Sequence, residues 1–194
     1  LGAERLSYRE LNARANRLAR LLRARGAGRG TFVGVGLERS SEMVVALLAV
    51  MKSGAAYVPL DPNYPPERLR AMISDCGIGL VVTATHADGP GVDFHVLREN
   101  GIRGETDFGV VDFGGDATAI AAQAAENLAD DVTPDDVVYA IFTSGSTGRP
   151  KAAAVYHRGF ANLVDWHATE FPVGADEATL LMGSFNFDRM HKKV

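Results

Sequence analysis

The sequence contains little cysteine and no long apolar run. Cys76 is the single cysteine among 194 residues, so no disulfide can form within the chain. A lone cysteine is typical of a reducing compartment, and we expect a cytoplasmic location. The longest apolar run, residues 44–51, is too short to cross a bilayer, so we expect no membrane partner. No signal peptide is visible, although the chain opens with Leu1 rather than Met.

An excess of positive charge and the common cofactor motifs are absent as well. The net charge is −4, which gives no support for nucleic-acid binding. None of the five histidines stands in a metal-ligand spacing such as HExxH, so we expect no protein-bound zinc and assign no metal-ligating residue. Gly34 and Gly36 begin a dinucleotide-loop pattern, but Arg39 occupies the position of its third glycine. The chain is 46% hydrophobic and 23% charged, which is ordinary for a globular protein with a sizeable core.

Alternating strand and helix patterns predict an α/β fold in which sheets are flanked by helices. Ser7 and Glu10 have the spacing of a capping box, which predicts a helix from Ser7 to a stop at Gly26. The helix expected over residues 41–52 is apolar on nearly every side, so it should be covered on both sides. Other expected strands are 31–37, 80–83, 137–142, 152–155 and 179–185, and a further short strand should follow the helix stop at Gly54. Other helices should begin at Pro66 and after His157 or span 117–128, where Ile120, Ala121, Ala124 and Leu128 should face inward. Minor strands and loops fill 86–116. We expect His167 to be a core-edge residue, and Asp135-Asp136 to form a solvated turn rather than a metal site.

The stretch that follows the strand over 137–142 changes abruptly from apolar residues to hydroxyls and glycines. Such residues can present backbone N–H and O–H donors to an oxyanion without steric obstruction. Lys151 adds a positive charge, and Pro150 restricts the backbone before it. The pattern indicates a phosphate site, although by composition alone a surface turn is equally possible. It is not a Walker A loop, because Pro150 and Ala152 flank the lysine.

The full stretch closely resembles the phosphate loop of the AMP-forming adenylating enzymes: Tyr139-x-x-Phe142-Thr143-Ser144-Gly145-Ser146-Thr147-Gly148-x-Pro150-Lys151. That superfamily includes acyl-CoA synthetases, firefly luciferase and the adenylation domains of nonribosomal peptide synthetases. The resemblance implies that this loop holds the β- and γ-phosphates of ATP while a carboxylate attacks the α-phosphate. The implied binding residues are Thr143, Ser144, Gly145, Ser146, Thr147, Gly148 and Lys151. Ala152 stands where the family usually has glycine, which would be costly if that position required a positive φ.

Other segments resemble the peptide-synthetase adenylation domains in particular. Residues 6–11 (Leu-Ser-Tyr-Arg-Glu-Leu) are similar to their first signature, and residues 157–163 are similar to the segment after the phosphate loop. Residues 52–62 contain Tyr-Val-Pro-Leu-Asp-Pro, which is typical of their second signature and rare in acyl-CoA synthetases. We assign no chemistry to these segments, and we expect Cys76 to be a small core residue rather than a nucleophile.

Asp188 is the candidate substrate-binding residue. Phe187-Asp188 follows the last expected strand, where adenylation domains carry a Phe-Asp-x-Ser motif. The resemblance implies that Asp188 pairs with the α-ammonium of a bound amino acid, and such a carboxylate would select amino acids over fatty acids by charge. Met190 stands at the serine position, and residues 191–194 do not resemble the family. An ordinary turn aspartate is the alternative.

Taken over residues 6–188, the resemblance implies a partial N-terminal piece of the large multilayer αβαβα subdomain of AMP-forming ligases. We therefore expect residues 1–194 to be the N-terminal part of an adenylation domain, incomplete at its C-terminus. The implied activity converts ATP and an amino acid to aminoacyl-AMP and pyrophosphate. The aminoacyl group then passes to the phosphopantetheine thiol of a peptidyl carrier domain, in a synthetase that also has a condensation domain.

The chain does not contain the segments that the family uses for Mg²⁺, for the ribose and for its catalytic lysine. We therefore assign no catalytic residue, expect the Mg²⁺ ligands elsewhere, and expect residues 1–194 alone to be inactive. The alternatives are an acyl- or aryl-adenylating ligase, a non-catalytic ATP-binding remnant, and a non-functional gene fragment.

Overall fold

The computed structural model describes residues 5–84, 92–99, 107–129, 132–143 and 151–172. Its strands are β1 (Phe32–Gly36), β2 (Ala56–Pro59), β3 (Leu80–Thr83), β4 (Gly109–Asp112), β5 (Val137–Thr143) and β6 (Lys151–Tyr156). Its helices are α1 (Tyr8–Ala24), α2 (Ser41–Ser53), α3 (Pro66–Cys76), α4 (Phe94–Glu99), α5 (Ala117–Ala121) and α6 (His157–Glu170). Within these residues the strands form one sheet in the order β4-β3-β1-β2-β5-β6. All pairs are parallel except β5 and β6, which are antiparallel. The α/β prediction is confirmed.

The first helix begins at the predicted capping box. The Glu10 N–H donates to Ser7 Oγ over 3.2 Å, and the Ser7 N–H donates to the Glu10 carboxylate over 2.8 Å. The hydrogen bonds from Ser7 hold the pKa of Glu10 below its ordinary value. The helix ends at Ala24, and the chain then turns at Gly26, whose φ is 96°. These local signals set the bounds of the helix without help from the rest of the fold.

The second helix is covered on both sides, as its composition predicted. It packs against α1 on one side and against β1 and β2 on the other. Ser40 Oγ accepts from the Met43 N–H over 3.1 Å at its start, and Gly54 ends it with a φ of 87°. A helix between a sheet and another helix has no side left for polar residues, which explains its apolar sequence.

Each face of the sheet carries its own core. Neighbouring residues of one strand point to opposite faces, so Tyr57 belongs to the core beneath α1 and α2, and Val58 to the core beneath α3 and α4. Tyr139 and Ala140 divide in the same way. Gly36 belongs to a close packing contact, because a Cβ there would clash with the Phe94 ring. Close packing thus explains the glycines of β1, and a dinucleotide-binding loop is not required to account for them.

Two expectations between residues 86 and 128 were wrong. Residues 94–97 form helix α4 rather than a minor strand or loop, and its buried residues, Phe94 and Leu97, stand three positions apart on one helical face. The helix expected over 117–128 ends at Ala121, and both Ala121 and Ala124, which were expected to face inward, are exposed. Alanine favours a helix locally but buries too little apolar area to hold one against the core.

The last strand and helix are covered only in part by the described residues. Residues 152–154 are exposed, and the half-buried face of α6 consists of Phe160, Leu163 and His167. The His167 ring contacts Phe171 with centroids 5.3 Å apart, which agrees with the expected core-edge role. The strand expected over residues 179–185 lies outside the described residues.

The aspartates before β5 form the predicted turn. Asp136 Oδ2 accepts hydrogen bonds from the Thr133 N–H over 2.6 Å and from Thr133 Oγ over 2.9 Å, and Arg29 Nε lies 3.0 Å from the same oxygen. Arg29 also donates through a terminal guanidinium nitrogen to Asp136 Oδ1 over 3.1 Å. The Thr133 backbone and then Arg29 lower the pKa of Asp136 to about 2. Asp135 pairs with Arg158 at 2.7 Å, but both side chains are largely exposed. Asp136 is therefore a turn-stabilising residue.

Replacing Asp136 with asparagine should reduce the dependence of the free energy of unfolding on pH in acid solution. Because the folded-state pKa of about 2 lies below the ordinary 3.8, the contribution of Asp136 is fully present above about pH 4 and is lost as the pH falls through about 2. Urea unfolding at several pH values, followed by circular dichroism, should show a wild-type advantage near neutrality that disappears in acid. Asp135→Asn is the matched control and should change little, since exposed ion pairs contribute little. Parallel curves for wild type and Asp136→Asn would contradict the prediction.

Candidate functional site

The predicted phosphate loop connects two strands that pair directly at its base. β5 ends at Thr143 and β6 begins at Lys151, and these two residues are partners in the antiparallel ladder. Thr143 Oγ also donates to the Lys151 carbonyl oxygen over 3.3 Å. The connecting residues therefore leave and rejoin the sheet at one point. The predicted binding residues Ser144, Gly145, Ser146, Thr147 and Gly148 lie outside the described residues.

The base of this loop lies at the carboxyl edge of the parallel strands. β1 to β4 run parallel to one another, and β5 runs parallel to β2, so the end of β5 lies on the same side as the ends of the others. Open α/β sheets bind their ligands at this edge, where loops rather than helices follow the strands. Thr143 and Lys151 are both exposed there, and a ligand could reach them.

Lys151 supplies the positive charge of the site. Within the described part of the chain, its ammonium has no ion-pair partner, so its charge is available to a ligand. Ala152 follows in β6 opposite Phe142. No non-glycine residue among those described has a positive φ. Alanine in place of the family's glycine therefore causes no backbone strain at this position.

Other candidate features do not involve Thr143 or Lys151 among the described residues. A cleft of about 560 Å³ opens between α2 and the start of α6, where Lys52, Pro134 and His157 are among its lining residues, but neither Thr143 nor Lys151 lines it. The Cys76 thiol is half-buried in α3, and burial together with the charge of Asp75 raises its pKa. A thiol with a raised pKa is a poor nucleophile, which supports its assignment to the core.

The remaining sequence-based candidate, Asp188, lies outside the described residues. Among the residues that are described, no group of three or more histidine, cysteine, aspartate or glutamate side chains is placed to hold a metal ion. In the same residues, no helix combines the length and the apolar character needed to cross a bilayer.

One contact between two of the family-like segments was not predicted from the sequence. The Tyr57 ring of β2 stacks on the Tyr139 ring of β5, with centroids 5.4 Å apart. Both tyrosines stand in segments that resemble family signatures, which was the available signal. Only the sheet order, with β2 beside β5, shows that the two segments touch.

A mostly parallel α/β sheet with the predicted phosphate loop at its carboxyl edge is the arrangement expected of a nucleotide-binding enzyme. Residues 1–191 match the AMP-binding enzyme family, and the chain belongs to that family. The family was predicted from the loop and its flanking segments, and the prediction is confirmed.

The curated relatives include antibiotic synthetases. The chain is 42% identical over 184 residues to tyrocidine synthase 3 of Brevibacillus parabrevis, and the aligned region covers 94% of this chain and 3% of that protein. It is 40% identical over 185 residues to bacitracin synthase 3 of Bacillus licheniformis, which covers 95% of this chain and 3% of that protein. The chain thus spans only a small fraction of the length of these relatives.

Solved structures share the fold. The nonribosomal peptide synthetase FmoA3, in its form bound to alpha-methyl-L-serine-AMP, matches with a TM-score of 0.80 and 29% identity over 98% of this chain and 20% of that chain. The N-terminal domain of FACL13 from Mycobacterium tuberculosis matches with a TM-score of 0.75 and 25% identity, over 86% of this chain and 41% of that chain. These matches confirm the predicted AMP-ligase type of α/β fold.

Proposed function

We propose that residues 1–194 are the N-terminal part of an amino-acid-activating adenylation domain of a nonribosomal peptide synthetase. The domain converts ATP and an amino acid to aminoacyl-AMP and pyrophosphate. The observation that carries this proposal is the adenylating-enzyme loop sequence joining Thr143 to Lys151 at the carboxyl edge of the sheet. The similarity to tyrocidine and bacitracin synthases supports it.

The loop acts on the phosphates that leave the reaction. Residues 143–148 offer hydroxyl and backbone N–H donors, and the Lys151 ammonium offers a charge-assisted contact. Negative charge builds up on the pyrophosphate as a carboxylate attacks the α-phosphate, and donors placed in advance stabilise that charge. Mg²⁺ would supply further neutralisation when bound, and its protein ligands are expected outside residues 1–194, because the family's segment for Mg²⁺ is not in this sequence.

The wider assembly follows from the same proposal. The aminoacyl group is transferred to the phosphopantetheine thiol of a peptidyl carrier domain, and a condensation domain of the same synthetase uses the product. The fusion of several domains in one polypeptide fits the small share of the relatives that this chain covers. A cytoplasmic location stays a prediction from cysteine content.

An acyl- or aryl-adenylating ligase is the closest alternative. Tyrocidine and bacitracin synthases, at 42% and 40% identity, favour the peptide-synthetase type. Asp188, as a partner for the substrate ammonium, would exclude substrates without an amino group. The similarity to these synthases and the presence of Phe-Asp at positions 187 and 188 both favour amino-acid activation.

Pyrophosphate exchange into ATP tests the proposed function. In the natural polypeptide that carries this chain, exchange should depend on one or a few amino acids from a panel, with Lys151→Ala as the blank. Exchange supported only by des-amino acids would establish the acyl or aryl alternative, and ATP binding without any exchange would establish a non-catalytic module.

The same assay on residues 1–194 alone should show no exchange, because phosphate donors without a partner for the attacking carboxylate leave much of the transition-state charge uncompensated. Exchange above the blank by the isolated chain would contradict this.

A further inference from the structure

The Tyr-Val-Pro-Leu-Asp-Pro segment has no chemistry of its own, yet its tyrosine contacts the strand that leads to the phosphate loop. Tyr57 lies in β2, whose residues are all buried, and its side chain is 3% exposed. Its ring lies 5.4 Å from that of Tyr139, with an angle of 25° between the ring planes. Tyr139 is 1% exposed. The pair is thus a fully buried stack between two motifs.

This stack stands where the β5–β6 hairpin joins the rest of the sheet. β1 and β2 share a register of paired residues from Phe32 opposite Ala56 to Val35 opposite Pro59. Between β2 and β5, by contrast, Tyr57 and Tyr139 are the registered pair in the described residues. At this pair, the packing of the two rings adds to the backbone attachment of the hairpin. Stacked rings have a preferred angle and a preferred separation, so the stack fixes both the orientation of β5 relative to β2 and the distance between them.

The helix after the hairpin contacts the same ring. Phe160 of α6 meets Tyr139 edge-on, with centroids 6.1 Å apart and planes at 87°. Tyr139 is therefore held from two directions, by a stacked ring on β2 and by a perpendicular ring on α6. Thr143 follows Tyr139 along the same strand by about 13 Å, at about 3.3 Å per residue. A small rotation at the ring cluster would displace Thr143 and Lys151 together.

We propose that Tyr57 is a positioning residue for the phosphate loop. Through its stack on Tyr139, it sets the orientation of the β5–β6 hairpin and thereby places Thr143 and Lys151 at the edge of the sheet. The assignment rests on the proposed function of that loop. Tyr57 touches no reacting group, and its effect passes through Tyr139. The stacked ring is the part of the side chain on which this role rests.

Kinetics in the natural polypeptide separate positioning from simple core filling. Tyr57→Leu removes the stack and should raise KM for ATP by roughly 3- to 10-fold, which corresponds to the usual contribution of one aromatic pair. KM for the amino acid should stay within about 2-fold of the wild-type value. Tyr57→Phe keeps the ring and should stay near wild type. Phe94→Leu is the control, because Phe94 is also a buried aromatic but packs on Gly36 in β1. It should lower stability without changing KM for ATP.

Amide hydrogen exchange gives a second measurement that does not depend on activity. Exchange over residues 140–156 should be faster in Tyr57→Leu than in Tyr57→Phe or Phe94→Leu, since only the first variant loosens the hairpin. If Tyr57→Leu does not fold, Tyr57→Met serves in its place, because methionine is flexible enough to fill the space without a ring. If wild type lacks amino-acid-dependent exchange of pyrophosphate, the proposed function fails and hydrogen exchange alone decides the role of Tyr57. The proposal would be overturned if Tyr57→Leu, Tyr57→Phe and Phe94→Leu had equal amide protection over residues 140–156 and equal KM for ATP.

Discussion

Replacing Lys151 with alanine should lower kcat/KM for ATP by roughly ten- to hundred-fold in the natural polypeptide that carries this chain. The ammonium is a charged donor at the base of the loop, and a charge-assisted contact of this kind contributes about 1.5–3 kcal/mol. Lys151 is exposed at the carboxyl edge of the sheet and is paired through its backbone with Thr143. Removing its side chain beyond Cβ should leave that ladder intact, so the loss should be one of phosphate binding.

Pyrophosphate exchange at subsaturating ATP measures this effect, and two variants control for it. Lys151→Arg keeps the charge and should retain a large part of the activity, although its planar donor group differs in shape from an ammonium. Lys52→Ala removes a half-buried lysine at the end of α2, outside the loop, and should leave the rate unchanged. An unchanged rate in Lys151→Ala would remove Lys151 from the site.

The elements that were predicted well are those whose signals are local. The capping box at Ser7, the stop at Gly54 and the start of α3 at Pro66 each depend on a few adjacent residues, and all stand where expected. The elements predicted wrongly lacked such signals. Residues 94–97 form an apolar run too short to distinguish a strand from a helix. The alanine-rich run over 117–128 has helix propensity without the apolar surface that stabilises a helix in a fold.

The phosphate loop could be predicted as a motif, but its placement could not. Its residue types already indicated an anion site, and the resemblance supplied the family. That Thr143 lies opposite Lys151 depends on an antiparallel ladder between β5 and β6. That Tyr57 supports Tyr139 depends on β2 lying beside β5, with β1 on the other side of β2. Such contacts join residues far apart in the chain, and local patterns carry no information about them.

Under the proposed function, the strands at the two ends of the loop explain how a segment that contains Gly145 and Gly148 can bind phosphates. Glycine and small hydroxyl residues lose much conformational freedom when a ligand orders them, which weakens binding. Here the ladder joins the two ends of the loop at Thr143 and Lys151. The ring cluster around Tyr139 then holds the strand that carries one of those ends. Fixing both ends in advance reduces the ordering that ATP would have to impose.

Replacing Asp188 with alanine should have the largest effect of all, and it should fall on the amino acid rather than on ATP. If the carboxylate pairs with the substrate α-ammonium in a pocket that excludes water, removal of one partner costs about 3–5 kcal/mol. Amino-acid-dependent exchange should then fall by roughly 10²- to 10⁴-fold, while binding of a fluorescent ATP analogue persists. The Lys151→Ala variant should show the opposite pattern, with ATP binding impaired.

Discrimination between an amino acid and its des-amino analogue is the sharper measurement. With Asp188 present, the des-amino acid leaves a desolvated carboxylate unpaired and should be rejected. In Asp188→Ala that penalty is gone, so the two substrates should be used at similar low rates. Asp165→Ala, which removes an exposed aspartate from α6, is the matched control and should leave discrimination unchanged. Because a general loss of stability would slow both substrates alike, only a collapse of their ratio supports a charge pair. If Asp188→Ala still prefers the amino acid as strongly as wild type does, Asp188 is an ordinary turn residue and the ammonium must have another partner.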